Sequence, residues 1–230
     1  MPEGLSPETA HKQVERHENS PTPRGRRAGI LQVAEATVLA LVTLTAAWSG
    51  FAAAKWGTES RIQLAEGSTA RAEANRAFNT ANTLRNFDAS TFNTWFTAHL
   101  LGNKTDAAVA ERRFRPVYAT AFRAWIATDP EHNPKAAPGP SYMPEYVLPQ
   151  EATAAKLDAK ATDLSAQGAH SGIVGDQYVR ITVVLAGVLF LVGIGSTFAM
   201  AGIRWALLSV GAALFIGAIV LIITTPAPPS

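Results

Sequence analysis

ATVLALVTLTAAWSGFAAA, residues 36–54, carries no charged side chain over about 19 positions. At about 1.5 Å per residue a helix of that length crosses the hydrocarbon of a bilayer. Outward from this core the apolar run begins at Ala28 and continues to Trp56. Trp48, Phe51 and Trp56 lie toward its C-terminal end, where an interfacial belt of aromatic residues belongs. A cleaved signal peptide is the alternative, because Ala52-Ala53-Ala54 resembles a small-residue cleavage site. The polar region before the run is longer than such a leader carries, and so is the apolar stretch, which predicts a retained span.

Two more apolar runs follow near the other end. Val179 to Met200 is free of ionisable residues after Arg180 at its edge, and Trp205 to Thr224 has none. Each is about 20 residues, enough to span. Ala201 to Arg204 separates them, so the sequence predicts a tight membrane hairpin turning there. Arg24, Arg26 and Arg27 flank the first span and Arg204 sits in the predicted turn. Three spans put both groups on one side, and positive charge assigns that side to the cytoplasm, against Lys55, Arg61 and Arg180 on the other.

The expected organisation is therefore an all-α membrane protein with three transmembrane helices and an extracytoplasmic helical bundle between the first and second. A cytoplasmic tail covers 1–27, the spans cover 28–56, 179–200 and 205–224, the outer domain covers 57–178, and an outer tail covers 225–230. Residues 1–27 are polar, contain Pro2, Pro7, Pro21 and Pro23, and repeat no apolar stripe. Such a segment buries too little surface to offset its ordering entropy and is read as disordered.

The outer domain reads as helical throughout. Ala70, Ala74, Ala77, Ala81 and Leu84 form a heptad of small residues that permits close helix approach. Phe92, Trp95, Phe96, His99 and Leu100 make an apolar stripe. Asp88 or Ser90 is expected to cap that segment and Gly102-Asn103 to end it. A helix from Thr105 or Asp106 carries Phe114, Val117, Tyr118, Ala121 and Trp125, with a break expected at Pro116. Pro130 to Pro149 is a proline-rich connection that Tyr142, Met143 and Tyr146 tack to the bundle. After it Leu157, Ala161, Leu164, Gly168, Ser171, Gly175 and Tyr178 hold heptad spacing into the second span. Ala77 and Ala81 are expected to face Leu157, Ala161 and Leu164. Two long antiparallel helices, with the aromatic helices at their outer end, are the resulting picture.

Composition adds exclusions. The chain has 230 residues, 47% hydrophobic, a formal charge of +2 and no cysteine. That charge is too small to imply a nucleic-acid partner. The missing cysteines remove disulfides, thiol catalysis and thiolate metal sites. Of the five histidines, His99 continues the aromatic stripe and reads as a hydrogen-bonded core residue rather than a ligand, so neither metal nor cofactor is expected. Glu111, Arg112, Arg113 and Arg115 read as a solvated helix face, with an acidic partner or lipid phosphate as the alternative. Asn103-Lys104-Thr105 fits a glycosylation sequon, a pattern common by chance. No phosphate loop, paired catalytic carboxylates or nucleophile elbow is present, and the chain is read as not an enzyme. Glu35 is either intramembrane, if the span starts at Ala28, or interfacial beside Gln32, if it starts at Ala36. The second reading is preferred because Ala36 to Ala54 already suffices.

Small residues in the spans carry a clearer signal. Ser209, Ala213 and Gly217 recur every four residues in the third, and Gly195 and Ala199 in the second. Such residues let helices pack closely in lipid, within the hairpin or between molecules.

Ala47-Trp48-Ser49-Gly50-Phe51 with Lys55-Trp56-Gly57, Ala124-Trp125, Asn133-Pro134 and Pro144-Glu145-Tyr146 resemble a group of uncharacterised small bacterial three-span membrane proteins. Ala52 stands where that group would carry an amide side chain. The resemblance implies a bacterial inner-membrane location and supplies no activity. The expected function is a non-enzymatic membrane scaffold or accessory subunit, with the lipid bilayer and a homo-oligomer or another membrane protein as partners. A sensor binding a small ligand in its outer bundle is the alternative.

Overall fold

The computed structural model describes residues 23–229, with side chains from residue 29 onward. Among the described residues it is all-helical. The helices are α1 (Pro23–Leu100), α2 (Lys104–Glu111), α3 (Pro116–Ile126), α4 (Pro149–Gly195) and α5 (Ala201–Thr224), with a 3₁₀ turn at Pro140–Tyr142. α1, α4 and α5 are long and apolar enough to cross a membrane. The disorder expected for the N-terminal tail concerns residues that, up to Thr22, lie outside the described ones. Pro23 to Arg27, assigned to that tail, are helical.

Proline placement explains the helix lengths. No proline occurs between Pro23 and Pro116, so nothing removes a helical donor along α1. The cap expected at Asp88 or Ser90 is absent for that reason, and the helix runs through both residues. It ends at Gly102, whose φ of 70° only a glycine adopts at little cost. Asn103 N donates to Ala98 O and Gly102 N to His99 O, a Schellman close. Asn103 then caps α2, its side chain accepting from Asp106 N. The break expected at Pro116 is present: Arg115 is extended, as a residue before proline prefers, and Pro116 opens α3.

The hairpin turn differs from expectation. It occupies Ser196–Met200 rather than Ala201–Arg204, which places Arg204 in the first turn of α5. Ser196 Oγ donates to Gly193 O and Thr197 Oγ1 to Ile194 O, at 2.7 Å each, and Thr197 N also donates to Ile194 O at 3.0 Å. α4 ends here, where hydropathy alone gives no signal.

The chain divides into two compact units, Met1–Glu59 with Ser171–Ser230, and Ser60–His170. In the first, Leu31, Val42, Ala52, Tyr178, Leu185, Val188, Val192, Leu208 and Ala218 form the buried core. Ser49 Oγ donates to Tyr178 O at 3.0 Å, and Tyr178 Oη to Pro226 O at 3.0 Å. Trp48 and Phe51 are exposed, with ring centroids 5.8 Å apart. Trp56, by contrast, packs against the core, and its Nε1 is buried with no hydrogen-bond partner.

In the second unit α1 and α4 pack along a seam of small residues. Ala70, Ala74, Ala81, Ala154 and Ala161 are buried, while Ala77 is only half-buried. Arg71 pairs with Asp158 at 2.5 Å and Arg85 with Glu151, fixing an antiparallel register. Ala161 therefore lies against Gly67, where an added Cβ would come within 3.2 Å of its carbonyl oxygen, and not against Ala77. The heptad pattern picks out Ala70, Ala74, Ala81 and Ala161 on the two buried faces but does not fix their offset, which the cross-helix ion pairs decide. Closest approach is at Gly168, where a Cβ would meet Leu64 Cγ at 2.8 Å and Leu64 N at 3.1 Å. Gly168→Leu is expected to destabilise the protein by about 2 kcal/mol, because backbone cannot rotate away as a side chain can. Thermal unfolding in mild detergent reads this directly, and an unchanged melting temperature would mean the seam is looser than described.

Candidate functional site

Three arrangements stand out, two of them built on carboxylates that α1 brings to its buried face. Glu35 is 6% exposed. Arg204 donates to it through Nε at 3.1 Å and Nη2 at 2.6 Å, a bidentate pair between α1 and the first turn of α5. The carboxylate sits opposite the end of α5 that adjoins the hairpin turn. What the sequence reading of Glu35 lacked was its partner, 169 positions away.

Asp88 is the deeper carboxylate, fully buried. Arg115 Nε donates to Oδ1 at 2.9 Å, Arg115 Nη2 to Oδ2 at 2.5 Å, and Tyr146 Oη to Oδ2 at 2.8 Å. Three segments meet there: the C-terminal part of α1, the residue before α3, and the latter part of the proline-rich connection. Arg115 thus leaves the solvated face assigned to Glu111–Arg115, and the hydrogen bond to Asp88 raises its already high pKa. Burial raises the hydroxyl pKa of Tyr146, helped by its bond to Asp88. Burial likewise pushes Tyr118 up to about 12, opposed by a hydrogen bond with Ser141. Both phenols hold their protons across the physiological range and serve as donors.

Beyond Asp88 lies an aromatic cluster of Phe92, Trp95, Phe114, Tyr118, Phe122 and Trp125. Its ring pairs are mostly edge-to-face, including Trp95–Phe122 at 4.7 Å and 77° and Tyr118–Tyr146 at 5.6 Å and 89°. His99 stacks on Trp95 at 4.8 Å and meets Glu131 through Nε2 at 2.5 Å. It is hydrogen-bonded as expected, yet its side chain is 42% exposed rather than part of the core. Two clefts open beside this pair. One, of about 710 Å³, lies between α1, Trp125–Ile126 of α3 and the Pro130–Pro138 loop. The other, of about 520 Å³, is lined in part by Lys104, Glu111 and Arg123. Among the described residues no group of three His, Asp or Glu side chains is placed to hold a metal ion.

The third arrangement is the small-residue face predicted for helix packing. Ser209, Ala213 and Gly217 are all exposed, and a Cβ at Gly217 would have nothing within 4 Å. α5 packs on α4 through a different face, with Leu208, Gly211 and Ala218 buried. A Cβ at Gly211 would come 3.0 Å from Val192 Cγ2. Gly195 is buried beside Leu207, whereas Ala199 lies in the turn and shares no helical face with it. Of the small residues that periodicity picks out, Gly195 packs within the hairpin, while Ser209, Ala213 and Gly217 do not.

No family model matches the chain, and no curated protein or solved structure does either.

Proposed function

We propose that this protein is a non-enzymatic scaffold or accessory subunit of a bacterial inner membrane, working through helix packing. In this reading the N-terminus is cytoplasmic, the Gly57 to Tyr178 domain is outside, and the chain belongs with the three-span group it resembles. The observation that carries it is the uncovered Ser209–Ala213–Gly217 face. The chain's own hairpin closes through Gly211 and leaves this face open. Packing in lipid gains nothing from hydrophobic exclusion, so association depends on the close backbone approach that such residues permit.

Gly217→Ile places a branched side chain in that open face without touching the hairpin contact. Crosslinking between copies in native membranes is expected to fall several-fold while expression and folded yield persist. Unchanged crosslinking would remove the face from assembly. Reduced folded yield would mean the face packs within the molecule.

A ligand-sensing role is the second reading. It is favoured by the 710 Å³ cleft at the aromatic end of the second unit, which a domain devoted to packing alone has no reason to leave open.

A further inference from the structure

We infer that the cleft between α1, α3 and the Pro130–Pro138 loop binds a small organic cation with an apolar body, such as an aromatic or alkyl ammonium. The inference rests on the sensing reading and gives it a ligand class.

The cleft wall offers few free side-chain donors. Pro130, Pro134 and Pro138 have no N–H, and His99, which also lines it, is paired with Glu131 through Nε2. The indole of Trp125 spends its donor on Ala137 O at 2.7 Å, and Asn133 Nδ2 is spent on Thr128 O at 2.9 Å. One carboxylate faces the space. Glu131 engages His99 through Oε1 only, and its Oε2 has no hydrogen-bond partner among the described residues. No lysine or arginine lines this cleft, in contrast to the neighbouring one with Lys104 and Arg123, and to the groove that Arg113 borders. Phe96 and Leu100 are exposed along the α1 wall, so the apolar part of a ligand has a surface to cover. Aromatic faces carry negative potential, and together with one free carboxylate oxygen they attract a cation and repel an anion.

The test uses the full chain in nanodiscs and calorimetric titration with three probes of similar size, benzyltrimethylammonium, benzyl alcohol and benzoate, against empty nanodiscs. The quaternary ammonium keeps its charge at every pH. Saturable binding of benzyltrimethylammonium, with the neutral and anionic probes at least about fivefold weaker, is expected. Glu131→Gln and Phe96→Ala, both at exposed positions that preserve the fold, should each weaken it about fivefold. Glu111→Gln in the neighbouring cleft should leave it unchanged. Equal or tighter binding of benzyl alcohol or benzoate overturns the cation assignment while leaving a ligand-binding domain. Cation binding indifferent to Glu131→Gln and Phe96→Ala overturns the site. Failure of all three probes to bind overturns both the inference and the sensing reading.

Discussion

Asp88→Asn is expected to destabilise the protein by about 3 kcal/mol, the low end for breaking a buried ion pair from one side. The substitution keeps the shape and removes the charge. Arg115 is then left three-quarters buried, with an amide facing a guanidinium that can only donate. The low end applies because Arg115 keeps some solvent. Because the carboxylate joins α1, the start of α3 and Tyr146, its loss should also free the proline-rich connection, seen as faster proteolysis between Pro130 and Pro149. Tyr146→Phe removes one donor and should cost about 1 kcal/mol. Asp88→Leu combined with Arg115→Met should recover much of the single-variant loss, since an apolar pair of similar volume needs no desolvated charge. Unfolding of the purified full chain in detergent measures all three. Equal stability of Asp88→Asn and the parent would mean the pair is not buried in solution.

Glu35→Ala is expected to have the comparable effect in the first unit. It strips Arg204 of its bidentate partner at the end of α5 that adjoins the hairpin turn. A guanidinium without its counter-charge must reach water or lipid phosphate, which pulls α5 away from α1. Folded yield after detergent extraction should fall sharply. The swapped pair, Glu35→Arg with Arg204→Glu, should restore part of it, because the partners remain opposite each other. Loss without rescue would indicate that Glu35 acts alone, and no loss would indicate that the pair contributes nothing in the bilayer.

Both carboxylates are visible in the sequence, but their partners are not. Glu35 reads ambiguously because hydropathy locates a span to within several residues and cannot see Arg204. Asp88, like Ser90, reads as a candidate helix cap because aspartate favours that position. The contrary signal was present: Ala81, Leu84, Asp88 and Trp95 continue one heptad line from Ala70, which puts Asp88 on the seam. A buried carboxylate on a seam demands a partner, and Arg115 is the cation nearest a helix break. What periodicity resolved well was the buried face of α4, where Ala161, Gly168, Ser171, Gly175 and Tyr178 are all buried. What it could not resolve was offset. A small-residue repeat matches its partner equally well one heptad up or down, and only the long side chains flanking it break the tie. The hairpin turn reads too late for a similar reason: the apolar run continues past Ser196, where the structure has already ended α4.

Three spans with a domain looped out between the first two are the foundation of this account, and the absence of cysteine makes them directly measurable. Single cysteines at Lys135, Thr197 and Ala227, all exposed positions, can be probed with a membrane-impermeant maleimide on intact cells and again after permeabilisation. Lys135→Cys and Ala227→Cys are expected to react in intact cells, and Thr197→Cys only after permeabilisation. Labelling of Thr197→Cys and Lys135→Cys from the same side would contradict the three-span arrangement.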